Sequence, residues 1–347
     1  MPHLSHIPAA PVGNYPTPLE ELKAVTRLMK GPRIWVKRDD LTGVAMGGSK
    51  TRSLSTLLGD ALARNADTVI TCGPVTSNHV RLTTAAANRL GLKVVLVLRR
   101  PDSNDATYAA PQGNMLLNHV LGAEIVYVDT DTLAGLEPVM QDIAAKLVVQ
   151  GRRPYVIPGG GYSPIGALGY LGLMQELLEQ SKSANITIDG VICASGSGCI
   201  QSGLILGNLF YGSEIPVVGI TINRSVKELK ERISHDVAKA ARLVGMKGYV
   251  AQEDICVLDD FIGDGYAIPS QDGMDALRLL AEEEGLLLDP CYTAKSMAGV
   301  LRLAKTRFRP GQNIVFVHTG GSPGIFGYAK DIASLQLARQ PLQGSVA

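Results

Sequence analysis

The sequence predicts a parallel α/β fold in two lobes, and three observations carry that prediction. Short, nearly continuous apolar runs rich in β-branched residues recur along the chain. Amphipathic or Ala/Leu-rich stretches of helical length separate them. The chain has 347 residues, enough for two lobes and a substantial buried core. A strand covered on both faces has no polar side, so it reads as apolar throughout instead of alternating. Strand alternating with helix in this way builds a parallel sheet.

Taken in order, the candidate strands are Arg33–Lys37, Asp67–Cys72, Lys93–Leu98, Glu124–Val128, Pro154–Ile157, Gly190–Ala194, Val217–Ile222 and Asn313–His318. The intervening helical stretches include Lys50–Arg64, Asn78–Leu90, Leu133–Val149, Pro164–Leu178 and Gly273–Glu284. No internal repeat, low-complexity segment or linker interrupts them, so the lobes are expected to be interleaved and not tethered.

Composition narrows the function. Net charge is +1, from 33 basic and 32 acidic side chains, without the basic excess or stripe of a nucleic-acid binder. Five cysteines (Cys72, Cys193, Cys199, Cys256, Cys291) form no CxxC pair, which argues against a disulfide framework or a zinc site and for free thiols. The first fifteen residues are polar and proline-rich with no apolar signal region, and no apolar run approaches the ~20 residues of a membrane span. A cytoplasmic protein is expected, with no metal, membrane or nucleic-acid partner.

Ligands of open parallel sheets gather at the carboxyl ends of the strands. Four polar or glycine-rich loops fall there: Thr71–Asn78, Pro158–Gly166, Ala194–Gly203 and His318–Gly324. The loop Ala194-Ser-Gly-Ser-Gly-Cys-Ile-Gln-Ser-Gly203 joins a strand to a helix. Its small residues let backbone N–H groups converge on a phosphate at the positive helix end, or simply make a tight turn. Gln201 at the third glycine position and the missing Walker lysine argue against dinucleotides and triphosphates. A single phosphate group fits better.

Gly47-Gly-Ser-Lys50 places a lysine in the first turn of a helix. An amine there, inside a cleft, has its pKa lowered from ~10.4, which favours attack on a carbonyl. Beside a monophosphate loop, Lys50 becomes a candidate Schiff-base lysine. Ser77-Asn78-His79 offers either a seat for a substrate carboxylate or an ordinary helix N-cap; His79 is either a proton carrier or a satisfied helix residue. Gly320-Gly-Ser322-Pro-Gly324 matches a hydrolase elbow only superficially. All six histidines precede Ser322, and Pro323 lacks the N–H an oxyanion hole would use.

The ordered motifs Val36-Lys-Arg-Asp-Asp40, Gly47-Gly-Ser-Lys50, Ser77-Asn-His-Val-Arg81, Tyr155-Val-Ile-Pro158, Gly166-Ala-Leu-Gly-Tyr170, Leu288-Asp-Pro-Cys-Tyr-Thr293 and His318-Thr-Gly-Gly321 run from about Thr17 to Tyr328. Together they resemble the D-cysteine desulfhydrase and 1-aminocyclopropane-1-carboxylate (ACC) deaminase family of pyridoxal-phosphate (PLP) enzymes. The resemblance implies fold type II, with PLP in the cleft between a smaller lobe, residues 50–162, and a larger lobe, residues 1–49 plus 163–347. It also implies a homodimer.

Residue by residue, the resemblance implies Lys50 as the covalent anchor of PLP and the base for the α-proton. Asn78 would face the cofactor's phenolic oxygen and Thr319 its pyridine nitrogen. Ser195, Gly196, Ser197, Gly198, Cys199 and Ile200 would hold the phosphate, largely through backbone amides. Ser77, Asn78, His79, Thr76 and Tyr162 would line the substrate, with Ser77 and Tyr292 beside Lys50 in the catalytic set. The implied reaction is α,β-elimination on a small β-substituted amino acid such as D-cysteine or L-cysteate, giving a keto acid and ammonia.

Where ACC deaminases resemble one another in a glutamate near the pyridine nitrogen, this chain has Thr293, a weaker partner better suited to expelling a good leaving group. Ser49, Thr76, Tyr162-Ser163 and Cys199-Ile200 also depart from the family pattern. The alternatives are an ACC deaminase and, from another class, a catalytically weak sensor binding amino acid or PLP.

Overall fold

The computed structural model describes residues 6–99, 111–130 and 132–337. Its strands form two sheets. The larger runs β1 (Leu19–Glu21), β2 (Arg33–Lys37), β10 (Asn313–Val317), β7 (Gly190–Ser195), β8 (Val217–Thr221), β9 (Cys256–Leu258), numbered in chain order. The smaller runs β5 (Glu124–Val128), β4 (Lys93–Arg99), β3 (Thr68–Pro74), β6 (Pro154–Ile157). Every pairing is parallel except that of β1 with β2.

Both sheets are apolar on both faces, which is why the strands read as unbroken hydrophobic runs. In the larger sheet Trp35, Val191, Cys193, Val315 and Val317 face one core. Their immediate neighbours Ile34, Val36, Ile192, Ile314 and Phe316 face the other. In the smaller sheet Val69, Val94 and Leu96 face one side, and Ile70, Val95 and Val97 the opposite side. Burying each such side chain stabilises the fold by about 1.5–3 kcal/mol.

All eight expected strands are present, with ends shifted by no more than two residues. β1 and β9 escape the sequence because three residues are too few to show a period. Pro164–Leu178, expected as one helix, is two: α6 (Pro164–Leu168) and α7 (Leu171–Ser183). The break falls at a close approach that only glycine allows. Gly169 lies against α2 (Lys50–Ala63), and a Cβ there would stand 2.1 Å from the Arg52 carbonyl oxygen.

A buried ion network fixes α2 from the side away from Lys50. Arg52 donates to both oxygens of Asp39 at 2.8 Å and to Glu176 at 2.8 and 2.9 Å. Lys37 donates to Glu176 at 2.6 Å and to Gln180 at 2.8 Å. Two cations therefore meet two carboxylates, and the desolvation of each charge is offset by short, directed bonds. Tyr15 lies under the Arg52 guanidinium at 4.5 Å. The network joins α2 to β2 and α7, so the lysine at the head of α2 starts from a rigid base.

Candidate active site

The loops that follow β3, β6, β7 and β10 converge on one cavity of about 490 Å³. Lys50 stands in its wall as the first residue of α2. The turn before it needs glycine: at Gly47 (φ 68°) a Cβ would lie 1.7 Å from the Asp40 carbonyl oxygen. Lys50 Nζ donates to the Gly160 carbonyl at 2.6 Å and reaches Ser197 Oγ at 3.5 Å. Burial lowers its pKa. Among the described residues no carboxylate pairs with it to oppose this, so the amine is biased toward the neutral form a nucleophile needs.

Facing it is the turn from β7 into α8 (Cys199–Tyr211). Gly198 takes φ 91° and as N-cap offers α8 no side chain; Cys199 N donates to Ser197 Oγ at 3.4 Å, and the amides beyond it have no side-chain acceptor from the cap. An uncapped helix start presents donor N–H groups and positive potential to an anion. Gly196, Ser197, Gly198, Cys199 and Ile200 all line the cavity. Ser195 does not: its hydroxyl turns inward and donates to Gln201 Oε1 at 2.9 Å, which leaves only its backbone for the expected phosphate contact. The buried strand end pairs its polar atom internally.

Ser77 caps α3 (Asn78–Arg89), accepting from Val80 N at 3.4 Å, and also lines the cavity. The two readings of this motif are thus compatible. His79 is fixed by its partner. Thr71 Oγ1 gives its proton to the Ile157 carbonyl at 2.9 Å, so the 2.9 Å contact with His79 Nε2 must be donated by the histidine. Its Nδ1 is then a bare acceptor, buried and without a partner. Burial first, then the Lys50 charge, lowers its pKa to about 3. In this tautomer Nδ1 carries a lone pair and no proton, and His79 is one of the residues that line the cavity.

On the remaining wall Tyr292 and Tyr266 place their hydroxyl oxygens 2.5 Å apart. Burial pushes both phenols up, so both stay neutral and able to pass a proton. Tyr266 is a residue the sequence reading missed. Its only signal is the glycine-rich run Gly263-Asp-Gly-Tyr266, which Lys295 pins by donating to the carbonyls of Ile262 and Gly265 at 2.6 and 2.8 Å. Arg224, Glu228 and Arg232 at the rim were also missed, as nothing in the sequence marks them.

Tyr162 lines the cavity with its ring, stacked 3.6 Å under the Arg232 guanidinium, while its hydroxyl donates away to the Arg232 carbonyl at 3.1 Å. Thr319 lines the cavity and its carbonyl accepts from Ser49 N at 3.0 Å. Thr76 lies instead in a neighbouring cavity that shares Asn78 and Tyr292 with the first. Thr293, expected near the ring nitrogen, is fully buried with its hydroxyl donating to Asp289 Oδ1 at 2.7 Å. It serves the start of α11 (Thr293–Thr306), whose first amides Asp289 also caps. Thr293 is not among the residues that line the cavity.

These features fit PLP: a lysine amine biased to neutrality, an uncapped helix start across from it, and glycine backbone between. At Gly160 a Cβ would stand 3.3 Å from Ser197 Cβ and 3.9 Å from Lys50 Nζ, filling the space a flat ring needs. Among the described residues no cluster of three or more His, Cys, Asp or Glu is placed to hold a metal ion, and no helix is long and apolar enough to cross a membrane.

A sequence model of the family described as pyridoxal-phosphate dependent enzyme matches residues 11–320. The D-cysteine desulfhydrases of Salmonella typhi and Salmonella newport are each 39% identical over 327 residues, spanning 94% of this chain and 98% of theirs. A crystal structure of an ACC deaminase homologue superposes with a TM-score of 0.88 at 36% identity, covering 96% of this chain and 97% of the other. O-ureido-L-serine synthase, 16% identical with a TM-score of 0.62, shares the fold.

Proposed function

Because the chain belongs to the family of pyridoxal-phosphate dependent enzymes, and within it to the carbon–sulfur lyases and deaminases, we propose that it eliminates the β-substituent of a small amino acid of the D-cysteine or L-cysteate type. The observation that carries this reading is the neutral-biased amine of Lys50 facing the glycine-rich start of α8 across one cavity.

Lys50 would anchor the cofactor covalently, residues 196–200 would hold its phosphate, and Asn78 and Thr319 would flank its ring. When bound, PLP supplies a sink for the electron pair left on the substrate's α-carbon. The Lys50 amine would take the α-proton. Ser77 offers its hydroxyl proton to the substrate carboxylate, since the capping bond uses only its lone pair. Tyr292, backed by Tyr266, delivers a proton to the departing β-substituent.

No side chain at position 293 reaches the cavity, so no carboxylate is supplied from there to support opening of a cyclopropane. The homodimer, the cytoplasmic setting and the division at residues 50 and 163 belong to the same proposal; all four strands of the smaller sheet fall between 68 and 157.

The test is keto-acid release from a panel of both cysteine enantiomers, L-cysteate, β-chloroalanine and ACC. Pyruvate from the β-substituted substrates without 2-oxobutyrate from ACC is the expected result. Release of 2-oxobutyrate from ACC at a comparable rate would overturn it. The Lys50→Ala variant serves as control: borohydride treatment should leave no covalent chromophore, and turnover should fall by at least about 10²–10⁴-fold.

A further inference from the structure

Asn114 is the second residue of α4 (Gly113–Val120) and is 2% exposed. Its Nδ2 donates to two acceptors at once, the Thr76 carbonyl at 2.7 Å and Asn78 Oδ1 at 2.8 Å. Chemistry fixes which way both amides point. A backbone carbonyl only accepts, so the Asn114 atom beside Thr76 O must be the nitrogen. That nitrogen can only donate, so the Asn78 atom beside it must be the oxygen. The Asn78 nitrogen is thereby left as the donor available to the Lys50 cavity, which Asn78 lines.

Two further observations separate this arrangement from simple packing. Asn114 Oδ1 has no partner although it is buried, a cost that a purely space-filling residue would not carry. The start of α4 is also held in place. Gly113 (φ 55°) lets the chain approach so closely that a Cβ would lie 2.7 Å from the Pro323 carbonyl oxygen. The donor is thus presented from a helix wedged against the segment Ser322–Tyr328.

We infer that Asn114 is a positioning residue that locks the Asn78 amide with its nitrogen toward the cofactor's phenolic oxygen. The inference rests on the proposed placement of Asn78 beside that oxygen. The lock matters because an asparagine amide otherwise turns over at little cost. In the reversed orientation Asn78 would set a carbonyl oxygen against a cofactor oxygen and repel it. Asn114→Asp replaces the donor by an acceptor of the same shape, and so drives Asn78 into the reversed orientation. Asn114→Ala merely releases it.

The experiment follows the holoenzyme in four variants: Asn114→Asp, Asn114→Ala, Asn78→Ala and the double variant Asn78→Ala/Asn114→Ala. Cofactor dissociation is read on serial dilution by absorbance and fluorescence, together with the pH profile of the visible cofactor band. Asn114→Ala should weaken cofactor retention about tenfold, the size of one lost hydrogen bond to a charged group. Asn114→Asp should weaken it more, although it leaves no hole; a packing role would give the opposite order.

Both should displace the visible band in the same sense as Asn78→Ala, and the double variant should lie within about twofold of Asn78→Ala alone. Equal, additive losses in the two backgrounds, or an unchanged band in both Asn114 variants beside a changed one in Asn78→Ala, would overturn the lock while leaving Asn78 in place. An unchanged band and affinity in Asn78→Ala would overturn the placement of Asn78 itself. If the aspartate variant fails to fold, the alanine pair still decides the coupling.

Discussion

At the scale of single residues, the polar groups around the cavity act through the atoms they have left over after their neighbours are satisfied. His79 gives its one proton to Thr71, and the bare Nδ1 is what remains. This has a measurable consequence. The unfolded chain protonates this histidine below about pH 6.5, whereas the folded chain resists until about 3. The unfolded state therefore binds more protons in that window, and stability falls as pH falls through it. At pH 5 the loss from His79 alone is about 2 kcal/mol relative to pH 7. Urea denaturation at pH 7 and pH 5 should show it, and His79→Gln should flatten the slope. An unchanged slope in that variant would mean that His79 takes up a proton as easily in the fold as in water. Lys50 and the Ser77-Asn78 pair were legible in the sequence because small residues and a helix start surround them. The inward turn of Ser195, the tie of Thr293 to Asp289 and the partnership of Tyr266 with Tyr292 were not, since each depends on a contact between side chains whose rotamers no sequence pattern sets.

At the scale of elements, glycine decides how closely the helices around the site approach. In α8 a Cβ on Gly203 would stand 2.4 Å from Tyr170 Cβ and 2.5 Å from the Ala167 carbonyl oxygen, with backbone on the opposing side. Gly203→Ala should therefore destabilise the protein by about 1–3 kcal/mol through overpacking. At Gly327 an added methyl meets nothing within 4 Å, and Gly327→Ala should stay within about 0.5 kcal/mol of the parent. Thermal melts of the two variants check the contrast, and equal melting temperatures would remove the steric argument. The same contacts explain which elements the sequence concealed. The paired α6 and α7 read as one helix because the hydrophobic period continues through Gly169, the glycine at which the chain passes closest to the Arg52 carbonyl. The eight longer strands were legible because apolar residues run along both faces, although β5 and most of β6 are only half-buried.

At the scale of the whole molecule, the cavity is built from loops that lie far apart in sequence, and the architecture that unites them was legible as strand–helix alternation at the outset. The ion network of Lys37, Asp39, Arg52 and Glu176 was not, because charged residues read as surface until three distant segments are seen to bury them together. The order of the strands carries one more consequence, for the way this chain comes to be folded. β2 pairs with β10, so Arg33 waits for Asn313 before its strand has both neighbours. The smaller sheet closes entirely within residues 68–157. Closing the longer loop costs more entropy and takes longer to find. Pulse-labelling of refolding protein should find the amides of Val69–Thr71 and Val94–Val97 protected before those of Ile34–Val36 and Ile314–Phe316; simultaneous protection would contradict it. On a ribosome the strand Arg33–Lys37 emerges early and stays apolar and half-paired until nearly all of the described chain has followed it.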